Sequence, residues 1–302
     1  MYSKNLIKGT PFLGSVKATY IAEPCTLSYP STKSYSNDMA SSSTTPQNPD
    51  MDKINALVRS PQFFWWLGHG TVLFSALGYF ATLFWFPSLY KLAYLGAITS
   101  YAIVLYMTHK SFSFTMQYAA RLVSDENFSY GFLAFYWLLL DPIAVTLIPF
   151  TLFTVIHYVS YFRNQLLPAL YPQVPKELKT RASPPSKQAQ VALMLDDLTR
   201  RYAAPAIRMA TMSEVTLVPV VLILLALTFR ISFVSLFFYG QFLRQRALQS
   251  AQTRNAFSEV AATLDVYVLQ PKVPGAVQNL YTTIKGYMAS SIQLTPSPQR
   301  AN

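Results

Sequence analysis

Three long apolar blocks, at residues 63–108, 127–162 and 215–243, constrain this chain more than any other feature of its sequence. The core of the first block, Phe63–Phe86, contains no Lys, Arg, Asp or Glu, and as a helix it would measure about 36 Å. The hydrocarbon layer of a bilayer is about 30 Å thick, and helices satisfy their own backbone polar groups inside it. The sequence therefore predicts an all-α, polytopic integral membrane protein with a membrane region at residues 61–243.

Two of the blocks are interrupted by residues that are typical of turns or helix ends. Asp141 and Pro142 divide the second block, and Arg230 divides the third. Each block either crosses the membrane once or enters and returns as a hairpin. Basic residues are concentrated in the segment 163–214 and again from residue 244 onward, and the positive-inside rule places both in the cytoplasm. We therefore favour hairpin-like segments, with both termini cytoplasmic, over single crossings.

The N-terminal arm, residues 1–60, is rich in Ser, Tyr, Thr and Pro and is predicted to be disordered. A mitochondrial presequence is an alternative for its first part, although residues 1–37 contain no Arg. A second alternative is that translation starts at Met39 instead of Met1, since the residues that follow Met39 are a polar run.

The basic segment 163–214 is expected to behave as a cytoplasmic loop with two parts. Residues 171–186 are rich in proline, as linkers are, and Lys187–Met212 has the pattern of an amphipathic helix that Pro205 interrupts.

The C-terminal region, residues 244–295, predicts two amphipathic helices separated at Pro271–Gly275. A disordered tail, residues 296–302, follows them.

Composition limits the chemistry that the chain can perform. Its 302 residues include one cysteine, Cys25, and three histidines, which excludes an internal disulfide framework, a Cys-rich zinc module and a poly-His di-iron site. The formal net charge is +11, but the basic residues flank apolar segments instead of forming one patch. Anionic lipid headgroups are therefore the expected partner, nucleic acid is not, and no cofactor or metal is predicted.

Ionisable side chains inside a membrane are functional candidates by default. His69, Asp141 and His157 could serve a small transporter or channel if they faced a common cavity, which is the alternative to a structural role. Asp141 beside Pro142 is also typical of a turn, and Arg230 of an anchor at the membrane interface. The third class considered, a lipid-modifying enzyme, has no supporting motif, and no catalytic residue is predicted.

Two groups of C-terminal residues are predicted to contact the membrane or a partner. Arg244, Arg246 and Arg254 form a basic girdle that suits headgroups or a soluble partner. The second amphipathic helix is expected to lie in the interface through Leu280, Tyr281, Ile284, Tyr287 and Met288.

Two stretches carry a resemblance to a known family. They are AFYWLLLDPIAVTLIPFTLFTVIHYVSYFRNQL (Ala134–Leu166) and YGQFLRQRALQSAQTRNAFSEV (Tyr239–Val260). In them, and over about Phe63–Met288, the chain resembles the transmembrane protein 33 family, whose fungal members are tetra-spanning proteins of the endoplasmic reticulum and the nuclear pore membrane. The only family feature that the resemblance assigns to residues of this chain is the basic block, here Arg244, Arg246 and Arg254. The N-terminal arm and the proline-rich linker depart from the family pattern.

This resemblance implies a non-enzymatic membrane protein of the endoplasmic reticulum and nuclear envelope, without catalytic residues. It implies that the protein acts together with reticulon-type shaping proteins and nuclear pore components. It also implies effects on the tubular reticulum and on the distribution of nuclear pores. From the residues themselves we expect a scaffold that curves membrane, because short hairpins and interfacial helices would fill the cytoplasmic leaflet more than the lumenal one.

Overall fold

The computed structural model describes residues 51–109, 113–180 and 184–293, which form helices and contain no strand. In chain order the α-helices are α1 (Met51–Val58), α2 (Pro61–Ala81), α3 (Pro87–Thr108), α4 (Met116–Val123), α5 (Glu126–Leu139), α6 (Leu147–Tyr161), α7 (Leu167–Leu170), α8 (Val174–Thr180), α9 (Lys187–Met212), α10 (Val218–Leu227), α11 (Phe233–Gln249), α12 (Ala251–Val268) and α13 (Gly275–Gln293). A 3₁₀ turn, Ala144–Thr146, leads into α6, and π-helical segments join α6 to α7 (Phe162–Leu166) and α9 to α10 (Ser213–Leu217).

Six of these helices form three hairpins. The first joins α2 to α3 through a tip at residues 82–86, the second joins α5 to α6 through residues 140–143, and the third joins α10 to α11 through residues 228–232. In the second hairpin the two arms pack on the first hairpin, α5 against α3 and α6 against α2. The helix breaks fall at Asp141, Pro142 and Arg230, as the sequence predicts. The all-α, polytopic fold with hairpin-like apolar segments is thereby confirmed.

The three tips lie at one end of the bundle, which we name the tip end. Lys91, in the first turn of α3, donates through Nζ to the backbone carbonyls of Leu138 and Leu140 at the end of α5. Tyr136 of α5 donates its hydroxyl to Ser235 Oγ at the start of α11, at 2.8 Å. These bonds place the start of α3, the end of α5 and the start of α11 at the same level.

The opposite end, which we name the base end, joins the hairpins to one another. His109 Nε2, just after α3, lies 3.1 Å from Asp125 Oδ2, just before α5. Gln249, at the end of α11, donates through Nε2 to the carbonyl of Ser124 at 2.9 Å. The C-terminal region, which follows α11, therefore begins at the base end.

Close helix contact in the first hairpin depends on two glycines. A Cβ atom on Gly96 of α3 would lie 2.7 Å from the carbonyl oxygen of Gly68 in α2, a separation that real structures do not tolerate. The close approach also lets Ser100 Oγ donate to the carbonyl of Trp65 at 3.0 Å. Small residues that allow two backbones to approach are typical of helix pairs in membranes.

The interior of the bundle is aromatic, with a few hydroxyls that bond one another. Tyr90 and Tyr94 of α3 are buried, and their hydroxyls lie 3.0 and 2.7 Å from Thr146 Oγ1. Trp137 of α5 is also fully buried, next to Tyr239 of α11. These contacts join the three hairpins at the tip end into one core.

Three helical stretches are long and apolar enough to cross a membrane by length and composition: Pro87–Thr108, Ala144–Leu170 and Lys187–Leu227. The predicted span Phe63–Phe86 is not among them, and its helix, α2, ends at Ala81. Helix α5 has 14 residues and so measures about 21 Å, as expected for a short hairpin arm.

Within the basic segment 163–214, α9 has the bounds that the sequence predicts for an amphipathic helix, but Pro205 does not interrupt it. The segment is largely helical, and α9 continues through Pro205 into the π-helical segment and α10 as one stretch of 41 residues. Pro205 removes a single backbone donor, and packing of the buried Ala210 and Thr211 after it keeps the helix continuous.

Of the predicted N-terminal arm, residues 51–60 are described, and Met51–Val58 is helical as α1. Residues 1–50, with the Met39 start, and the tail 296–302 lie outside the described residues.

Three apolar residues in the described ranges have a left-handed backbone conformation. They are Leu83 (φ 49°), Phe84 (φ 69°) and Phe229 (φ 55°), all in hairpin tips. Left-handed backbone costs a residue with a Cβ atom about 1–2 kcal/mol, which is why glycine usually occupies such positions.

Candidate membrane and partner interface

The structure corrects the predicted basic girdle at Arg246. This side chain is 2% exposed, whereas a headgroup contact needs a surface position. Its Nη1 pairs with Glu126 Oε1 at the start of α5, and its Nε lies 3.9 Å from Glu214 Oε2. A buried charge must be paired, and these two acids provide the pairing that allows Arg246 to lie in the interior.

Glu214 is the centre of this buried cluster, which we name the Arg246 cluster (Glu126, Tyr130, Glu214, Tyr239 and Arg246). Its side chain is 1% exposed. Tyr130 donates its hydroxyl to Glu214 Oε1 at 2.7 Å, and Tyr239 donates to the Glu214 backbone carbonyl at 2.9 Å. The cluster therefore links α5, the π-helical segment 213–217 and α11.

Sequence reasoning missed Glu126 and Glu214 as members of a site. A usable signal is present, because Glu214 is the lone acidic residue between Asp197 and Glu259 and directly precedes the third apolar block. An acid at that position needs a cationic partner, and Arg246 follows at the far end of the same hairpin.

The other residues of the predicted girdle remain closer to the surface. Arg244 is half-buried, and Arg254 is exposed with its Nη1 donating to the carbonyl of Ala247 at 2.9 Å. Arg230 is exposed in the tip of the third hairpin, at the opposite end of the bundle from Gln249 and the C-terminal region that follows it. The structure therefore does not bring Arg230 together with the C-terminal basic residues.

Helices α12 and α13 form the pair of C-terminal helices that the sequence predicts, with a break at residues 269–274. Tyr281 of α13 donates its hydroxyl to Asp265 Oδ1 of α12 at 2.7 Å, and Lys285 Nζ lies 2.6 Å from Asp265 Oδ2. Hydrogen bonds from Lys285 and Tyr281 hold the pKa of Asp265 below its ordinary value. Desolvation is the largest cause that raises the pKa of Tyr281 to about 12, and the hydrogen bond to Asp265 is the next.

One face of α13 is apolar and uncovered. Val277, Leu280, Ile284 and Tyr287 are all exposed and follow helical spacing along one side, which we name the α13 stripe. Of the predicted interface residues, Leu280, Ile284 and Tyr287 lie on this stripe, and Met288 is half-buried beside it.

Tyr281 departs from its predicted place at the membrane interface. Its hydroxyl points to α12, where it reaches both Asp265 and the carbonyl of Ala261. It therefore fastens α13 to α12 and leaves the stripe to the other residues.

The intramembrane candidates are only partly brought together. His69 of α2 is buried, with Nδ1 3.2 Å from Thr154 Oγ1, and its ring centre lies 5.1 Å from that of His157. Trp65 packs against both rings. Asp141 is exposed in the tip before α6, whereas His157 lies near the other end of α6. The three side chains do not share one site.

No metal centre emerges from residues 51–109, 113–180 and 184–293, where no group of three or more His, Cys, Asp or Glu could hold an ion. What these residues present outward is an apolar bundle surface, an apolar stripe on α13 and exposed arginines. Such surfaces bind lipid or another protein. The fold thus defines an all-α polytopic membrane protein.

A family model described as Transmembrane protein 33/Nucleoporin POM33 matches residues 45–293, and the chain belongs to this family. Tetra-spanning protein 1 of Schizosaccharomyces pombe is 32% identical over 255 residues, which cover 80% of this chain and 88% of the relative. Pore membrane protein of 33 kDa from Saccharomyces cerevisiae is 27% identical over 274 residues, covering 84% and 94%. Nucleoporin POM33 of Chaetomium thermophilum is 25% identical over 251 residues, covering 78% and 88%. No solved structure matches the chain.

Proposed function

We propose that this protein is a non-enzymatic, multi-pass component of the endoplasmic reticulum membrane and nuclear envelope that curves the membrane in which it lies. The location follows the names of its relatives, a pore membrane protein, a nucleoporin and a pore and endoplasmic reticulum protein. Both termini lie in the cytoplasm, because the base end, where the C-terminal region begins, carries most of the basic residues.

The observation that carries the curvature proposal is the unequal distribution of helices between the two ends of the bundle. The tip end consists of short turns, whereas α4, α12 and α13 are attached at the base end. With the α13 stripe in the headgroup zone, these helices add area to the cytoplasmic leaflet alone. A bilayer with more material in one leaflet bends toward the other.

Reconstitution of the full chain tests this proposal. We expect vesicles of phosphatidylcholine and phosphatidylserine that contain the protein to form tubules. Leu280→Asp with Ile284→Asp should abolish them, because two charges on the stripe oppose insertion. The matched control is Asn279→Asp with Thr282→Asp, which adds the same charge on the opposite face of α13. Flat vesicles with the parent protein, or tubules that survive the stripe substitutions, contradict the proposal.

Nuclear pore components and reticulon-type shaping proteins are the partners that we propose for the base end. The relatives' names support the first. The second follows from the family resemblance and from the curvature proposed here. Cross-linking in isolated nuclear envelopes through a cysteine placed at Arg254, in a Cys25→Ser background, should capture pore proteins. Capture of cytosolic proteins alone contradicts this assignment.

A further inference from the structure

We propose that the tips of the first and third hairpins insert their apolar side chains into the lipid interface of the leaflet at the tip end. The contact surface, which we name the tip surface, consists of Leu83, Phe84, Trp85, Phe86 and Phe229. This inference requires only that the bundle spans the bilayer, and it holds whether or not the protein bends the membrane.

The first tip begins with a specific helix-ending motif. Phe84 N–H donates to the carbonyl of Tyr79 at 3.0 Å, and Leu83 N–H donates to the carbonyl of Phe80 at 3.1 Å. These two bonds are those of a Schellman motif, in which a left-handed residue, usually glycine, ends the helix. Here that position is occupied by Leu83.

The third hairpin repeats the same motif at the end of α10. Arg230 N–H donates to the carbonyl of Leu225 at 2.9 Å, and Phe229 N–H donates to the carbonyl of Ala226 at 3.0 Å. Phe229 therefore occupies the position that Leu83 occupies in the first hairpin.

The likeness extends to the residue before each left-handed position. Thr82 and Thr228 both donate their hydroxyls to carbonyls one turn back, those of Gly78 at 2.8 Å and Leu224 at 2.9 Å. Two hairpin arms thus end in the same way, each with a bulky apolar residue where glycine would be relaxed.

The side chains at these two positions gain little from the rest of the chain. Leu83 is 81% exposed, Phe229 is 85% exposed and the neighbouring Trp85 is 80% exposed. Leu83 and Phe229 have a left-handed backbone that disfavours a Cβ atom, and apart from a ring contact between Phe229 and Phe233 they have little packing inside the chain. Their favourable contacts therefore lie outside the chain.

Lipid is the occupant that the chemistry of the tips favours. Within the tip residues 82–86, 140–143 and 228–232, the charged side chains are Asp141 and Arg230. Trp side chains prefer the interface between headgroups and acyl chains, and Arg can extend its guanidinium from there to water. The turns are too short to form a polar domain beyond the membrane, so the tips end within the interface.

Depth measurements on labelled full-length protein test the proposal. In a Cys25→Ser background, Leu83→Cys or Phe229→Cys is coupled to the fluorophore NBD. The protein is then reconstituted into phosphatidylcholine vesicles that are permeable to the aqueous quencher, so that the quencher reaches both faces of the membrane. Gln252→Cys, an exposed position at the base end, is the matched control. We expect both tip labels to emit at shorter wavelength than the control, to be quenched by lipids with a nitroxide on the acyl chain, and to resist aqueous iodide.

Two other outcomes overturn the proposal. Iodide quenching at the tips equal to that at Gln252 would place the tips in water. A disulfide between two copies through Leu83→Cys, persisting at high lipid-to-protein ratio, would assign the tip surface to a second copy of the chain.

A stability measurement separates lipid contact from internal packing. In detergent, Leu83→Gly should melt no lower than the parent and higher than Leu83→Ala, because glycine relaxes the left-handed backbone and the lost side chain is 81% exposed. Melting of Leu83→Gly below both would show that the side chain supports the fold and would overturn the proposal.

Discussion

The guanidinium of Arg246 lies over the ring of Tyr130, 4.7 Å from its centre, while the hydroxyl of that same tyrosine donates to Glu214. Tyr130 thus contacts the cation of the Arg246 cluster through its ring and one of the acids through its hydroxyl. This arrangement ties α5 to α11 and to the π-helical segment 213–217 without a direct short bond between Arg246 and Glu214.

Replacing Arg246 by Met should lower the free energy of unfolding by about 3–5 kcal/mol, because the substitution leaves Glu214 buried without a cation. Glu214→Gln in the same chain should recover most of that loss, since the amide still accepts from Tyr130. Thermal unfolding in detergent measures both. Arg121→Met, at an exposed position of α4, is the control and should change stability by less than about 0.5 kcal/mol. Equal losses in the single and double variants would contradict the pairing.

Gly96→Ala should separate α2 from α3, because its new Cβ would meet the carbonyl of Gly68. The expected cost is about 1–3 kcal/mol, typical of overpacking. The matched control is Gly240→Ala in α11, where nothing lies within 4 Å of the added Cβ, and there the helix should gain up to about 1 kcal/mol. Denaturant unfolding in detergent distinguishes them, and equal effects at both glycines would refute the close contact.

Lys91→Met should weaken the contact between α3 and the end of α5 at the tip end, because the carbonyls of Leu138 and Leu140 would lose the ammonium group that donates to them. Two backbone acceptors near the end of α5 would then lack this donor, at about 1–3 kcal/mol each if water does not replace it. Lys272→Met, exposed between α12 and α13, removes the same charge elsewhere. Proteolysis within residues 140–143 provides the readout, and it should accelerate only in the Lys91 variant.

The contact between α12 and α13 should depend on pH at both extremes. Asp265 has a lowered pKa, so its contribution is complete above the ordinary carboxyl pKa and is lost as the pH falls through the lowered value. Tyr281 has a raised pKa of about 12, so its contribution is complete below the ordinary phenol pKa and is lost as the pH rises toward 12.

Spin-label distances between Ser258→Cys and Thr283→Cys, in a Cys25→Ser background, follow this contact. They should lengthen in acid and in strong base. Asp265→Asn should remove the acid transition, since no carboxylate remains to be protonated. A distance that stays constant over the whole range would exclude the role of Asp265.

Hydrophobic patterning and helix breakers could predict the class of fold and the positions of the hairpin tips. Asp141, Pro142 and Arg230 lie where apolar helices end, which is a local property of the chain. The spacing of Leu280, Ile284 and Tyr287 likewise predicted one face of α13. The fold class and the tips could be predicted because each depends on residues that are close in sequence, whereas the membrane contact of the α13 face stays a prediction.

Tertiary pairing could not be predicted in this way. Arg246 has the pattern of a surface residue, and only the fold brings Glu126 and Glu214 to it. Pro205 is locally a helix breaker, yet packing after it keeps α9 continuous with α10. In both cases contacts across the bundle outweigh the local preference.

The continuous helix from Lys187 to Leu227 has a mechanical consequence. With 41 residues it measures about 61 Å, roughly twice the hydrocarbon thickness of a bilayer. One half therefore lies outside the hydrocarbon layer, where its buried Ala189 and Ala192 pack with Leu167 and Val174, while the other half is held in the bundle. A load applied to the helices packed against that outer half would tilt the continuous helix and carry the motion to Phe229.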